Sequence, residues 1–338
     1  SVLNVTNLSH GFGDRAIFEN VSFSLLKGEH VGLIGANGEG KSTFMNIITG
    51  KLVPDEGKVE WSRNVRVGYL DQHVSLQEGM TIRDVLKTIN EQLDHAVMII
   101  NASKGIEPGT HKRVSEIVAE EIDQTYLEAF VALSGPSHAE EVIERALTTV
   151  TCAATVADKA NEIQKMFNNE YFRVYRVDDL IGVEIGGSIK NVIALAAGMA
   201  DGLGYGDNTK AALITRGIAE IAGLAVKMGA KVETLCGLTG IGDLIVTCES
   251  RHSRNRKAGM LIGQGYTMKQ ATDEVKMVVE GIYSAKAALA LAKKYDVELP
   301  IIEEVNKVLF DDKPAKEGVK DLMVREKRVE HLNLKWEN

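Results

Sequence analysis

Apolar and polar positions follow two different rhythms along this chain. Val21–Leu25 alternates apolar and polar as a half-buried strand does, and Val2–Val5 is a short β-prone run. His30–Ile34 is mostly apolar and ends in Gly35, which predicts a strand; Lys41–Ile48 has helical character. Val59–Trp61 and Val65–Leu70 predict further strands. From about residue 82 the texture changes. Short β-prone runs at Val97–Asn101, Val131–Leu133, Thr148–Cys152 and Phe172–Val177 alternate with helical segments, predicting βαβ units and a mostly parallel sheet. From Val183 onward the pattern is almost wholly helical, over Asn191–Ala200, Ala211–Met228, Thr267–Tyr295 and Ile301–Leu309. No internal repeat or low-complexity linker interrupts it.

Length and composition narrow this picture. A chain of 338 residues predicts two domains, three at most. With 44% hydrophobic and 25% charged residues it is neither disordered, collagenous nor coiled coil. No apolar run approaches the ~20 residues a bilayer demands, so no membrane part is expected. The polar, strand-like start carries no basic-then-apolar leader. Cys152, Cys236 and Cys248 form no CxxC pair and read as reduced core thiols of a cytoplasmic protein. A net charge of −8 and 5% aromatics argue against nucleic acid or the ribosome as partner, and leave small phosphorylated ligands open. With 32 glycines against 5 prolines, tight turns beside phosphates or close helix packing are expected, not flexible linkers.

One motif fits G-x-x-x-x-G-K-[ST], between an expected strand and an expected helix: Gly35-Ala36-Asn37-Gly38-Glu39-Gly40-Lys41-Ser42-Thr43. Glycines let backbone N–H groups turn inward around a phosphate. Lys41 can reach the β and γ oxygens, and the Ser42 hydroxyl can ligate Mg²⁺. With its flanks, "VLNVTNLSHGFGDRAIFENVSFSLLKGEHVGLIGANGEGKSTFMNIITGKLVPDEGKVEW" and "VRVGYLDQH", it resembles the start of an ABC-type ATPase domain, most like the soluble F subfamily. That resemblance spans residues 2 to about 89. It implies that Phe12 stacks on adenine and that Gln72 meets Mg²⁺ and water, with ATP and Mg²⁺ as ligands. No LSGGQ signature, no apolar strand ending in Asp-Glu and no switch histidine follow. Leu133-Ser134-Gly135-Pro136 lacks the second glycine and the glutamine. Nothing then orients an attacking water, and ATP hydrolysis is not expected.

Further strings lie downstream. Ser103-Lys104-Gly105-Ile106-Glu107-Pro108 and Ser134-Gly135-Pro136-Ser137-His138-Ala139-Glu140-Glu141 each leave an apolar strand, where ligands bind in open α/β sheets. Equally, they are loops with helix caps, Ser137 being the N-cap. Glu184-Ile185-Gly186-Gly187-Ser188-Ile189-Lys190-Asn191 opens a nearly neutral helix. Lys190 there is either solvated or, partly buried, a general acid/base with a lowered pKa. Gly240-Ile241-Gly242-Asp243 leads through Thr247 to Arg251-His252-Ser253-Arg254-Asn255-Arg256-Lys257, either a phosphate grip or an exposed basic helix start. His138 and His252 carry no metal-ligand spacing and read as surface or supporting residues.

Residues from about 82 to 325 are similar to the bacterial NAD(P)-dependent glycerol-3-phosphate dehydrogenases, through "SKGIEP", "LSGPSHAEE", "IGVEIGG", "KNVIALAAGMADGLGYGDNTKAALITRG", "GLTGIGDLIVTCESRHSRNRKAG" and "MVVEG". The resemblance implies Lys190 as proton donor and acceptor, with Asp243 positioning it. It implies Lys104, Gly135, Ser137, Lys190, Ser253, Arg254 and Asn255 as holding glycerol phosphate. Lys104, Ala139, Arg254 and Glu280 are implied at NADP or NAD, with dihydroxyacetone phosphate as substrate and a homodimer formed through the helical domain. Such an enzyme opens with strand, G-x-G-x-x-G and helix. Here Gly38-x-Gly40-x-x-Thr43 stands instead, its last glycine replaced and Lys41-Ser42 inside it. The chain therefore reads as a chimera with its changeover near Ile82–Lys87. The expected fold is an α/β N-terminal part, a P-loop half-domain joined to the second half of a Rossmann-like sheet, followed by an all-α C-terminal domain. The expected domains are 1–89 (P-loop segment), 90–182 (half of a dinucleotide domain) and 183–338 (helical). Loss of the first strands should leave a sheet edge unpaired.

Overall fold

The computed structural model describes residues 1–13, 15–34, 38–69, 79–326 and 330, and it divides into two compact units, Ser1–Gly79 and Met80–Asn338. In the first unit β1 (Leu3–Phe12) and β2 (Arg15–Leu25) form an antiparallel hairpin. Helix α1 (Lys41–Ile48) follows, and β3 (Glu56–Trp61) pairs antiparallel with the other side of β1. Leu3, Val5 and Leu8 of β1 pack on Phe44, Ile47 and Ile48 of α1. The Trp61 indole N–H donates to the Ile48 carbonyl at 2.9 Å, tying β3 to the helix end. The expected strand over residues 30–34 does not form, leaving Val31 66% and Ile34 95% exposed. An apolar run becomes a strand only where a neighbour takes its hydrogen bonds. Among the described residues this sheet ends at β2 and β3. For the same reason residues 65–69 lie outside any strand; Leu70 falls outside the described residues.

The second unit opens with α2 (Ile82–Gln92), started by a Thr81–Asp84 capping box. Strand β4 (Val97–Asn101) leads through α3 (Val114–Glu121) to β5 (Leu127–Ser134), parallel to β4. Arg83 joins α2 to this region through Glu107 at 2.6 Å, Glu120 at 2.9 Å and Glu121 at 2.5 Å. Next come α4 (Ala139–Ile143), β6 (Thr148–Ala154), α5 (Ala157–Phe167) and β7 (Phe172–Arg176), in sheet order β4-β5-β6-β7. The sheet is mixed where a mostly parallel one was expected, because β6 runs antiparallel to β5. Strand β4 is an edge strand of this sheet among the described residues, as expected, with β7 at the other edge.

Helix α6 (Leu180–Gly202) is the spine of the helical part, buried without a break from Gly182 to Ala200. It is long and apolar enough to cross a bilayer, contrary to the reading of the sequence, yet 89% of its apolar window is buried inside the protein. Around it lie α7 (Asp207–Lys227), α8 (Val232–Leu235), a π-helical turn at Leu238–Gly242 and α9 (Asp243–Glu249). Then follow α10 (Arg254–Gly263), α11 (Met268–Val275), α12 (Glu280–Tyr295), α13 (Pro300–Phe310) and α14 (Ala315–Met323). The segment expected as one helix over Thr267–Tyr295 breaks after Val275, where Lys276 takes a left-handed conformation at φ 57°. Cys152 and Cys248 are buried thiols as expected, but Cys236 is exposed.

Glycine decides how closely α6 and α10 approach. A Cβ on Gly198 would lie 2.1 Å from the Arg256 carbonyl oxygen, and one on Gly259 would lie 2.2 Å from that of Leu195. No L side chain other than hydrogen fits there. Forcing the helices apart costs about 1–3 kcal/mol, so Gly259→Ala should lower the melting midpoint by about 2–4 °C per kcal/mol lost. Differential scanning calorimetry checks this, and an unchanged midpoint refutes the packing argument.

Candidate active site

Helix α6 is pinned before it reaches the site. Asp179 accepts from Gly182 N at 2.8 Å, capping the helix, and from Lys231 N at 2.8 Å. Eleven residues after the cap, Lys190 points into the protein and is 4% exposed. Its ammonium donates to the Asp243 carboxylate and, at 2.7 Å, to Thr247 Oγ1. Thr247 sits one turn beyond Asp243 on α9 and donates back to the Asp243 carbonyl at 2.6 Å. Asp243 is 1% exposed. It enters α9 from the π-helical turn, where a Cβ on Gly240 would sit 1.9 Å from the Leu235 carbonyl oxygen. Lys104, on the loop after β4, completes the cluster: its ammonium donates to Asp243 Oδ2 at 2.6 Å and to the Gly135 carbonyl at 3.3 Å.

Two ammonium groups therefore share one buried carboxylate. Burial, and next the charge of Lys104, push the Lys190 pKa down to about 7 against the pull of Asp243. Such a lysine exchanges a proton near neutrality. Beside it, burial and then the Lys190 charge hold His138 below the ordinary imidazole range. The His138 ring lies 6.2 Å from that of His252. Ser134 Oγ and His138 Nε2 are buried without a hydrogen-bond partner among the described residues. Gly135 (φ 151°) and Gly187 allow close packing here: Cβ atoms there would meet Val150 Cα at 2.9 Å and Ser134 Oγ at 2.8 Å.

Behind Lys104 lies a support that motif reading missed. Gly105 N donates to Ser188 Oγ at 2.9 Å, and Ser188 Oγ donates to the Glu184 carbonyl at 2.7 Å. The buried Glu184 carboxylate accepts from Ser115 N (2.8 Å), Ser115 Oγ (2.6 Å) and Arg113 (2.8 Å). Burial pushes its pKa up, opposed by Ser115 and Arg113. The only sequence signal was the four-residue spacing of Glu184 and Ser188, which puts both on one helix face.

The basic string divides. Ser253 Oγ caps α10 by accepting from Arg256 N at 3.2 Å. Buried Asn255 donates to Asn191 Oδ1 at 3.1 Å and accepts from Gly281 N at 2.8 Å. Glu280 accepts from Asn191 at 3.0 Å and from Arg254 at 3.4 Å. Arg256 turns away to Asp201 at 2.7 Å, while Arg251 and Lys257 are exposed, so of the four cations Arg254 alone joins this group. Ser137 is not the cap of α4. Its hydroxyl donates back to the Gly135 carbonyl at 3.1 Å, and His138 holds the cap position with Ala139 exposed after it.

The phosphate-loop residues belong to the first unit. Gly38 (φ 87°) and Gly40 (φ 85°) precede Lys41, Ser42 and Thr43 in the first turn of α1. A Cβ on Gly40 would lie 2.0 Å from Ile17 Cγ2, so packing against β2 already requires glycine there. Phe12 is 58% exposed and stands edge-on to His10 at 5.0 Å. Gly35, Asn37 and Gln72 lie outside the described residues. Among the described residues no group of three His, Cys, Asp or Glu could hold a metal ion.

Comparison with known proteins agrees on one family. Residues 78–160 match the model of the NAD-dependent glycerol-3-phosphate dehydrogenase N-terminus, and residues 179–320 match that of its C-terminus. A glycerol-3-phosphate dehydrogenase [NAD(P)+] of Agathobacter rectalis is 66% identical over 239 residues, 71% of this chain and 70% of that protein. One from Fusobacterium nucleatum subsp. nucleatum is 51% identical over 294 residues, 87% of this chain and 86% of its own. Among solved structures, glycerol-3-phosphate dehydrogenase from Coxiella burnetii superposes with a TM-score of 0.68 at 37% identity, covering 72% of this chain and 74% of that one. The α/β part with its helical C-terminal domain is thus the Rossmann-like arrangement of that structure.

Removing one partner of a buried ion pair typically costs about 3–5 kcal/mol. Asp243→Asn leaves Lys104 and Lys190 facing each other, so it should destabilise the second unit by that order. In the wild type Asp243 helps Lys190 keep its proton up to about pH 7; in the variant the proton leaves earlier. The stability deficit should therefore be largest below pH 7 and shrink as the pH rises through it. Thermal melts at pH 5.5 and 8.5 measure this; a deficit that grows with pH contradicts it.

Proposed function

Since the chain belongs to the NAD-dependent glycerol-3-phosphate dehydrogenase family, we propose that it interconverts dihydroxyacetone phosphate and sn-glycerol 3-phosphate with a nicotinamide coenzyme, supplying a phospholipid precursor. One observation above all supports this reading: Lys190 is buried and shares Asp243 with Lys104, surroundings that push its pKa down to about 7. Reduction of a ketone develops charge on its oxygen, and a protonated Lys190 can deliver the proton there. Asp243 and Thr247 fix the direction of that ammonium. Lys104 adds a second positive charge to receive the oxygen or the phosphate. Ser253, Arg254 and Asn255 at the start of α10 offer a hydroxyl, a guanidinium and an amide to the substrate phosphate, and Gly135 and Ser137 would contribute further contacts to it.

The coenzyme, when bound, supplies or accepts the hydride. Lys104, Ala139, Arg254 and Glu280 would hold its nicotinamide end beside Lys190. The pyrophosphate seat of a dinucleotide fold does not fit this chain: the glycine string ends in Thr43, and residues 31–34 before it make no strand. We read the protein as cytoplasmic and homodimeric through its helical domain, which the family membership supports. Lys190→Ala should cut dihydroxyacetone-phosphate-dependent oxidation of NADPH or NADH by about 10²–10⁴-fold. In the wild type the reduction rate should fall, and the oxidation rate rise, as the pH passes about 7, because only the protonated amine donates. Steady-state absorbance assays from pH 6 to 9 test both; a profile unchanged in the variant would refute the assignment.

A second reading concerns the first unit. Left-handed Gly38 and Gly40 deliver the chain into α1 with Lys41 and Ser42 in its first turn, the entry a phosphate loop uses. As a chimera with an ABC-type segment, the chain would bind MgATP there without hydrolysing it. Isothermal titration with MgATP should give saturable binding that Lys41→Ala abolishes; equal binding by both proteins would dismiss it.

A further inference from the structure

We infer, resting on the dehydrogenase reading above, that this chain recognises the nicotinamide–ribose–phosphate half of its coenzyme and that the adenylate half adds no affinity. A hydride-exchanging ring must lie against the carbon whose oxygen meets Lys190. The groups that can hold that end, Lys104, Arg254 and Glu280, all stand in Met80–Asn338. Arg254 is 39% exposed and its contact to Glu280 is long, at 3.4 Å, which leaves its guanidinium able to turn to a phosphate at the start of the ten-residue α10.

The other half of a dinucleotide needs a pyrophosphate seat, a glycine-rich turn between a parallel strand and a helix N-terminus. The β4–β7 sheet has four strand-to-helix turns among the described residues, and the one after β7 enters α6 under Asp179, whose carboxylate already accepts from Gly182 N and Lys231 N. The turn after β4 contains one glycine before Ile106, and the chain then bridges back at Arg113 before α3 begins. Arg113, at the cap of α3, is engaged by Glu116 and Glu184. The turn after β5 enters the five-residue α4, whose first turn carries Glu140 and Glu141. The turn after β6 enters α5 at Val156, without a side-chain cap and with Asp158 in its first turn. All four place a carboxylate where a pyrophosphate needs positive potential: Glu116, Glu140 and Glu141, and Asp158 in the first turns, and Asp179 at the cap of α6. Strand β4 is also an edge strand and the first of this sheet in chain order, so among the described residues no earlier turn exists in it.

The first unit does not supply the missing piece in its own fold. Its glycine string follows an exposed run outside any strand, and among the described residues its sheet is antiparallel throughout. A dinucleotide fold places an acid for the adenine ribose ~20 residues beyond its first glycine. Asp55 stands at that distance, yet it accepts from Gly11 N at 2.9 Å and lies 3.3 Å from His10.

The test is calorimetric titration of the full-length chain, in the presence of glycerol 3-phosphate, with reduced nicotinamide mononucleotide, NADH and NADPH. The expected result is three dissociation constants within about threefold of one another, with ADP-ribose failing to displace the mononucleotide. NADH or NADPH binding more than about tenfold tighter than the mononucleotide overturns the inference, as does competition by ADP-ribose or failure of the mononucleotide to bind. Glycerol 3-phosphate is titrated alone first. Its failure to bind would sink the dehydrogenase reading itself, whereas its binding with any of the overturning results sinks this inference only.

Discussion

Asp243 holds two lysines that come from distant parts of the chain, Lys190 on α6 and Lys104 after β4. The three charges carry a net positive charge out of water, which a fold tolerates only if each group is hydrogen-bonded. Every element around them serves that condition. Thr247 takes a bond from Lys190, the Gly135 carbonyl takes one from Lys104, and the π-helical turn brings the start of α9 close enough for the carboxylate to reach both. The excess positive charge, with two unpartnered polar atoms beside it, is the feature an anionic substrate would complete.

Helix α6 makes this arrangement rigid. Buried over nineteen consecutive residues, Gly182–Ala200, it uses glycine and alanine to let α10 approach to backbone contact, so Asn191 and Asn255 can join directly. The same helix carries Glu184 and Ser188, which draw the loop behind Lys104 inward. Close packing and site geometry are thus one constraint: a helix displaced by an added methyl group would move Lys190, Asn191 and the Lys104 loop together.

The two units differ in how completely their strands are served. In Met80–Asn338 a four-stranded sheet has helices to cover it and a helical domain to follow. Among the described residues of Ser1–Gly79 three strands and one helix form a small core, and the apolar residues 31, 33 and 34 are left exposed. Small units bury a smaller share of their surface, so the first unit has the lesser margin of stability.

Much of this was legible in the amino-acid order. Strand β4 and helix α1 begin and end where local pattern placed them, because short apolar runs bounded by polar residues, and a helix entered from glycine, are decided locally. Motif strings also named Lys104, Lys190, Asp243, Arg254, Asn255 and Glu280, which the fold brings into two adjoining hydrogen-bonded groups. Pattern could not say whether residues 30–34 would find a neighbouring strand, since a strand depends on hydrogen bonds from elsewhere in the chain. Nor could it settle whether Lys190 was solvated or buried, which of the four cations near residue 254 would turn inward, or that Ser188, Glu184 and Thr247 support the lysines. Those outcomes depend on which side chains share a dehydrated space, and residues 53 and 139 positions apart in sequence meet there only once the helices and sheet have packed.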